Sequence, residues 1–239
     1  EDQLPTTHPI EVSVLDTDQA MANFDGITYG KGASALKQFH FLLGDEDFQE
    51  GLHRYFTQFA NRNTALVDFM NVMGETSDRP LSSWTHEWLQ TTGYDTISVD
   101  RECSADSRGR NRISKLDLVQ TAPGSGNVLR THQLEIGLYR KDPNGRLWKS
   151  EKDLSVTVEG ERTLVEDAIG KPCPDLVFPN EDDHGYFLTN LDPASLSVAK
   201  SSLEKITDPF TRHLLVFTLW EMTKSAKWPV SEFAAAAKG

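Results

Sequence analysis

The chain has 239 residues, of which 38% are hydrophobic and 25% are charged, a balance typical of a folded globular protein rather than a disordered segment. Its formal net charge of −12 argues against nucleic-acid or anionic-membrane partners, because both are bound by clustered Lys and Arg. No apolar run approaches the roughly 20 residues that a membrane-spanning helix requires. Acidic residues far outnumber basic ones up to residue 95, which fits a solvated helical surface or an acidic cleft for cationic peptide N-termini.

The two cysteines, Cys103 and Cys173, are too few for a disulfide framework in a chain of this length. They are consistent with a reducing compartment, so a cytoplasmic location is predicted, and a single bridge stays open as the alternative.

Between residues 16 and 92 the apolar residues recur at helical spacing, which predicts a series of amphipathic helices. Asp45 and Thr64 are the predicted N-caps of two of these helices. Gly93 is predicted to adopt a left-handed conformation after the third of these helices. The three stripes consist of Phe48, Leu52, Tyr55, Phe56 and Phe59; of Leu66, Phe69, Met70 and Met73; and of Leu81, Trp84 and Trp88.

From residue 96 to about residue 190 the apolar period falls to two, which predicts short strands. No helix-length crossover separates them, so an antiparallel sandwich is favoured over a parallel sheet. Asn144 and Gly145 give the strongest hairpin signal, and a turn is also predicted at Gly124, Ser125 and Gly126. The predicted strands carry Ile97 and Val99; Ile113, Leu116 and Leu118; Leu134, Ile136 and Leu138; and Leu154, Val156 and Val158.

Helical spacing returns after Asp192, which is predicted to cap a helix that has Pro193 in its first turn. A second helix is predicted from Pro209, and a third is predicted to be capped by Ser231 and to end at Gly239. The fold class predicted from these three regions is α+β.

The zinc motif His-Glu-x-x-His is absent, because His86 and Glu87 are followed by Gln90 where the second histidine should stand. The sequence therefore predicts no metal ligands in this chain. Glu181, Asp182 and Asp183 could hold a hard cation, but a solvated turn is the favoured interpretation. The remaining histidines show no ligand spacing with a carboxylate or a second histidine; they are His8, His40, His53, His132, His184 and His213.

Tyr29 is the candidate catalytic residue. It stands with Lys31 among glycines, including Gly30 and Gly32, directly before a predicted helix. A phenol at this place can donate a hydrogen bond to a developing oxyanion, and the amides of a helix N-terminus favour negative charge nearby. Taken by themselves, the residues favour the alternative, a packed loop aromatic.

The same segment resembles the Phe-Asp-x-Ile-x-Tyr-x-Lys-Gly-Ala segment of the aminopeptidase N family, in particular its actinobacterial members. The matching residues are Phe24, Asp25, Ile27, Tyr29, Lys31, Gly32 and Ala33, and the likeness extends from Leu4, His8 and Pro9 through Trp84 and Trp88 to Phe178, Pro179, Asn180 and Tyr186.

The resemblance implies three parts. Residues 1–95 correspond to the helical end of a thermolysin-like catalytic domain, residues 96–190 to a small β-sandwich domain, and residues 191–239 to the first helices of a C-terminal helical domain. It also implies a zinc-dependent aminopeptidase in which Tyr29 stabilises the tetrahedral oxyanion during removal of the N-terminal residue of a peptide.

In that family the zinc ligands and the exopeptidase loop precede this segment. We therefore expect an internal fragment that lacks zinc and is inactive alone. The expected partners are peptide substrates, in the full-length enzyme, and the missing catalytic and C-terminal helical domains. The alternative is a zinc-less family member that acts as a non-catalytic interaction scaffold.

Overall fold

The structure is a computed structural model that describes residues 1–122 and 128–238. It contains both α-helices and β-sheets, which confirms the α+β class. The chain divides into two compact units, the first comprising residues 1–94 with residues 128–131 and the second comprising residues 95–122 with residues 132–238. The turn predicted at Gly124, Ser125 and Gly126 lies outside the described residues. No helix in the described ranges is both long and apolar enough to span a membrane.

The first unit is helical. Its core is aromatic: Phe39 lies 4.5 Å from Trp84 between ring centroids, and Trp84 stacks on Trp88 at 5.9 Å. The helices are α1 (Thr17–Ala22), α2 (Gly32–Leu43), α3 (Asp45–Gln58), α4 (Leu66–Ser77) and α5 (Ser82–Leu89), and a π-helical turn (Ile27–Lys31) leads directly into α2.

The third predicted stripe is confirmed, because Leu81, Trp84 and Trp88 are all buried. The first stripe is wrong at Phe56, which is exposed. Tyr55 of the same stripe does face α4, with its ring 5.2 Å from that of Phe69.

Both predicted N-caps in this unit are wrong. Gly44, at φ 83°, occupies the cap position of α3, and Asp45 is the first helical residue. Thr64 does not cap α4, because Ala65 is the cap residue and its amide donates to Asp68 Oδ2 at 2.9 Å. Gly93 is left-handed at φ 74°, as predicted.

Two four-stranded sheets make up the β part of the second unit. One has the order β6-β2-β1-β8, and the other consists of β4, β3 and β5, with β7 also paired to β3. The strands are β1 (Asp95–Ala105), β2 (Asn111–Thr121), β3 (His132–Lys141), β4 (Leu147–Lys149), β5 (Leu154–Val158), β6 (Arg162–Leu164), β7 (Leu176–Phe178) and β8 (Phe187–Asn190).

The pairings are antiparallel except that β8 runs parallel to β1, which departs from the predicted antiparallel arrangement. A two-residue apolar period marks which face of a strand is buried but carries no information about strand direction. Apolar residues of both sheets form one buried core, to which the predicted strands contribute Ile97, Val99, Ile113, Leu116, Leu118, Leu134, Ile136, Leu138, Leu154 and Val158.

The hairpin predicted at Asn144 and Gly145 joins β3 to β4. The Gly145 amide donates to the Asp142 carbonyl at 2.9 Å, and Gly145 has the φ of 79° that such a turn requires.

A disulfide joins Cys103 of β1 to Cys173, across a sequence separation of 70 residues. The structure thus contains the single bridge that the sequence left open, not the free thiols on which the cytoplasmic prediction rests.

The second unit ends in three helices, α6 (Pro193–Ser201), α7 (Pro209–Lys224) and α8 (Val230–Ala236). Asp192 caps α6, as predicted, by accepting from the amides of Ala194 and Ser195. Ser231 is not the cap of α8, because the helix begins one residue earlier with Pro229 as its cap. The helices share a second buried core with β3, β4 and β7. The division into three domains remains a prediction.

Candidate functional site

Tyr29 lies in the middle of the π-helical turn that precedes α2. The residue is 57% exposed, and its ring makes an edge-to-face contact with Phe24 at 4.7 Å between centroids. The structure therefore presents the phenol at the surface of the first unit, not in its core.

Asp25 shapes the start of this turn. Its Oδ1 accepts from the amides of Ile27 at 3.0 Å and Thr28 at 2.9 Å, and its backbone carbonyl accepts from the amide of Tyr29 at 3.1 Å. The amides of Ile27 and Thr28 would otherwise lack partners, as at the start of any helix. The bond from the Thr28 amide is the main reason why the pKa of Asp25 is lowered from its ordinary value of 3.8, and the bond to His8 lowers it further.

His8 holds the other oxygen of the same carboxylate, with Nε2 at 2.9 Å from Asp25 Oδ2. Its Nδ1 is 2.7 Å from the carbonyl oxygen of Pro9. The hydrogen bond to Pro9 is the largest influence that raises the pKa of His8 above 6.5, and the carboxylates of Asp25 and Asp2 add to it, whereas partial burial opposes it.

Lys31 fixes the end of the turn. Lys31 is 1% exposed as a whole residue, and its ammonium donates to the carbonyl of Thr91 at 3.1 Å and to that of Gly93 at 2.9 Å. It also forms an ion pair with Asp2 Oδ2 at 3.0 Å. The end of the turn is thereby tied to the segment that follows α5.

The surroundings of Gly30 and Gly32 are open. A Cβ atom added at either glycine would meet no atom within 4 Å. Neither glycine has a positive φ, so backbone strain does not require glycine at either place. An extended chain could approach the backbone on this side of Tyr29.

His86 and Glu87 have structural contacts. Glu87 Oε2 accepts from the amide of Thr131 at 2.8 Å, and His86 Nδ1 lies 3.3 Å from Gln90 Oε1. Among the described residues these two side chains are not grouped with a third candidate ligand. His86 and Glu87 therefore do not form a zinc centre of the kind expected for the family.

A different trio comes together in the second unit, where ligand atoms of Glu135, Asp182 and His184 lie within 4.8 Å of one another. The sequence spacing could not reveal it, because β3 supplies Glu135 from far along the chain. His184 Nε2 is 3.5 Å from Glu135 Oε2, so an ion pair accounts for the geometry.

The neighbouring Glu181 corrects the expectation of a solvated turn over residues 181–183. It is 1% exposed and accepts hydrogen bonds from Tyr139 at 2.7 Å and Thr211 at 2.8 Å. Burial, and next the charge of Glu181, raise the pKa of Tyr139 far above 10.0.

Sequence reasoning missed Asp2 and gave no role to His8, Asp25 or Lys31. An Asp followed by Gly just before a helix is a capping signal, which could have identified Asp25. Asp2 gave no such signal, because its partners Lys31 and Gly93 are distant in the chain.

Comparisons with known proteins indicate the family to which the chain is related. The family model described as "Peptidase family M1 domain" matches residues 1–88. The "Aminopeptidase N" of Streptomyces lividans is 36% identical over 98% of this chain, which covers 28% of that protein. The "Tricorn protease-interacting factor F2" of Thermoplasma acidophilum is 25% identical over 100% of this chain and is covered to 27%. The "Probable aminopeptidase 2" of Sulfurisphaera tokodaii is 39% identical over 41% of this chain and is covered to 12%.

Residues 1–88, which include Tyr29, thus match the M1 peptidase domain. The chain as a whole belongs to the aminopeptidase N family. Nearly all of this chain aligns with the Streptomyces and Thermoplasma relatives, but it spans only about a quarter of the length of each.

Proposed function

We propose that this chain is part of a zinc-dependent aminopeptidase that removes the N-terminal residue of a peptide, and that Tyr29 donates a hydrogen bond to the oxyanion of the tetrahedral intermediate. The observation that carries the proposal is how Tyr29 is held. Its turn is fixed at one end by Asp25 and at the other by Lys31, whereas its ring is exposed. A donor that is fixed before the reaction does not have to be ordered as charge develops.

The phenol acts late in the approach to the transition state. Negative charge grows on the carbonyl oxygen as the carbon becomes tetrahedral, so the hydrogen bond from Tyr29 strengthens at that stage and lowers the barrier. Zinc, when bound by residues outside this chain, would activate a water and polarise the carbonyl.

The domain division given above, with residues 96–190 and 191–239 as separate domains, is part of the same proposal.

Tyr29→Phe in the full-length, zinc-loaded protein tests the proposal. Turnover should fall about a hundredfold to a thousandfold, the usual loss for one oxyanion donor. The free energy of unfolding should change by only about 1 kcal/mol, the size of one net hydrogen bond. Turnover within about threefold of the parent, with zinc retained, would contradict the role of Tyr29.

Tyr55→Phe is the matched control. The Tyr55 hydroxyl is 2.5 Å from Thr64 Oγ1, so this variant also loses a phenol and a hydrogen bond in the first unit. Its turnover should equal that of the parent. A similar loss of turnover in both variants would indicate a general effect on the fold.

A second candidate is a zinc-less family member that serves as a non-catalytic interaction scaffold; the observation in favour of an interaction role is that one relative is named for its interaction with a protease. Zinc analysis of the full-length protein separates the two, because a scaffold needs no metal. This chain alone should bind no stoichiometric zinc and cleave no amino-acid anilide under the aminopeptidase proposal.

A cytoplasmic location also remains a prediction, and the disulfide gives it a test. Reducing compartments keep thiols free, whereas structural disulfides are typical of oxidising ones. Alkylation of the natural protein before denaturation, followed by mass spectrometry, should find Cys103 and Cys173 reduced if it is cytoplasmic. A bridged pair would contradict that location.

A further inference from the structure

Both ring nitrogens of His8 face oxygen atoms that can only accept a hydrogen bond. Nδ1 is 2.7 Å from the carbonyl oxygen of Pro9, and Nε2 is 2.9 Å from Asp25 Oδ2. A neutral imidazole carries one N–H, and an imidazolium carries two. Asp25 cannot supply the missing proton near neutral pH, because its pKa is lowered from 3.8. The geometry therefore fits His8 in its protonated form.

Asp25 links this imidazolium to the turn that carries Tyr29. One carboxylate oxygen contacts His8, and the other accepts from the amides of Ile27 and Thr28. Rotation of the carboxylate away from His8 would also weaken the two amide contacts. The order of the turn thus depends on an ion pair outside it.

We propose that His8 is a positioning residue: as an imidazolium it fixes Asp25, which holds the π-helical turn and the phenol of Tyr29 in place, so that turnover depends on the protonation of His8. This inference rests on the proposed role of Tyr29. It makes the position of the Tyr29 phenol, and with it the turnover, dependent on pH.

The direction of the pH dependence follows from the charges around His8. The carboxylates that act on it are Asp25 and Asp2, and the charge of Asp2 is shared with the ammonium of Lys31. The hydrogen bond to Pro9 and these carboxylates raise the pKa of His8 in the folded protein. The contact is therefore complete below that pKa and is lost as the pH rises through it.

The test compares kcat of the full-length, zinc-loaded protein with that of His8→Gln between about pH 5.5 and about pH 9, a range that brackets the titration of histidine. Glutamine keeps one N–H donor and does not titrate. The ratio of parent to variant should be about tenfold at the acidic end, the effect of one charge-assisted hydrogen bond on the population of the ordered turn. It should approach one at the alkaline end. Taking the ratio removes the pH dependence that both proteins share.

His40→Gln is the matched control, because His40 Nε2 also contacts an aspartate, Asp45 Oδ1, at 2.9 Å in the same unit. The ratio of parent kcat to His40→Gln kcat should not change with pH. Asp25→Asn is a second variant, since it keeps an oxygen for the amides of Ile27 and Thr28 but loses the charge. It should reproduce His8→Gln, which guards against a folding defect particular to one variant.

Hydrogen exchange of the peptide covering residues 23–31 gives a readout that does not depend on catalysis. At acidic pH the parent should be better protected than His8→Gln, and the difference should vanish at alkaline pH. A flat ratio of kcat overturns the proposal. If protection still differs, the error lies in the role given to Tyr29; if protection is also the same, His8 does not hold the turn.

Discussion

Lys31 Nζ lies 3.0 Å from Asp2 Oδ2, and both residues are buried in the first unit. Asp2 Oδ1 also accepts from the Thr7 hydroxyl at 2.7 Å and the Gly93 amide at 2.9 Å. The ammonium has two carbonyl partners besides, so the pair is buried with most of its hydrogen-bonding groups satisfied. A single buried pair thus joins the N-terminal segment, the turn of Tyr29 and the segment after α5.

Lys31→Met should destabilise the first unit strongly, because it leaves the Asp2 carboxylate buried without its cation. Removal of one partner of a buried ion pair costs about 3–5 kcal/mol. Urea unfolding followed by tryptophan fluorescence measures the change, since Trp84 and Trp88 lie in this unit's core. Lys37→Met, at an exposed place on α2, is the control and should change stability by less than about 0.5 kcal/mol. Equal stability of the two variants would show that the pair contributes little.

The disulfide should stabilise the second unit. A bridge that closes a loop of this length contributes about 4 kcal/mol, mainly by restricting the unfolded chain. The double variant Cys103→Ala, Cys173→Ala should therefore unfold at a lower urea concentration than the oxidised parent. Reductant should lower the midpoint of the parent and leave that of the variant unchanged. A parent that is indifferent to reductant would contradict the prediction.

Much of the fold could be predicted because strand alternation and helix capping depend on residues that are close in the sequence. The alternation of Ile97 with Val99, or of Leu134 with Ile136 and Leu138, requires only that one face of a strand be buried. Asp192 caps a helix through amides two and three residues ahead of it. The parallel direction of β8 could not be predicted, because it depends on where the intervening chain returns.

The candidate site was predictable at Tyr29 only through family resemblance. Its supporting residues come from distant parts of the chain, as the pairs His8 with Asp25 and Lys31 with Gly93 illustrate. Such partners are brought together by tertiary packing, and no periodicity or spacing encodes them. The caps of α3 and α4 were assigned wrongly for a related reason: the backbone path decides where a helix begins, and it places Gly44 and Ala65 at the cap positions although neither has a capping side chain.

Asp208 should stabilise α7 in a pH-dependent way. Its Oδ2 accepts from the amide of Thr211 at 2.6 Å, and this bond is the main reason why the pKa of Asp208 is lowered from 3.8. A lowered pKa means that the contribution is complete above about pH 4–5 and is lost as the pH falls through the folded-state value. Asp208→Ala should cost about 1 kcal/mol at neutral pH and less in acid. Denaturant unfolding at neutral and acidic pH measures both, and a cost independent of pH would contradict the prediction.

Gly32 should be replaceable without loss of stability but not without loss of function. Its backbone is helical, at φ −59° and ψ −45°, and an added Cβ would meet no atom within 4 Å. Gly32→Ala should therefore stabilise the chain by about 0.4–1 kcal/mol, because alanine has less conformational freedom to lose. If the bare backbone beside Tyr29 admits the peptide, the new methyl group should lower kcat/KM of the full-length enzyme about tenfold, as expected for mild overpacking.

Gly137→Ala supplies the contrast, because its Cβ would collide with the Glu181 carboxylate and the Tyr139 ring. Glu181 cannot move aside freely, since Tyr139 and Thr211 both donate to it. This variant should lose about 1–3 kcal/mol of stability and, once folded, keep its kcat/KM. The comparison thus distinguishes a glycine required by internal packing, Gly137, from a glycine at which a substrate could pass, Gly32. Unfolding free energy and kcat/KM, measured together for both variants, check this; an unchanged kcat/KM in Gly32→Ala would mean that no peptide passes over that glycine.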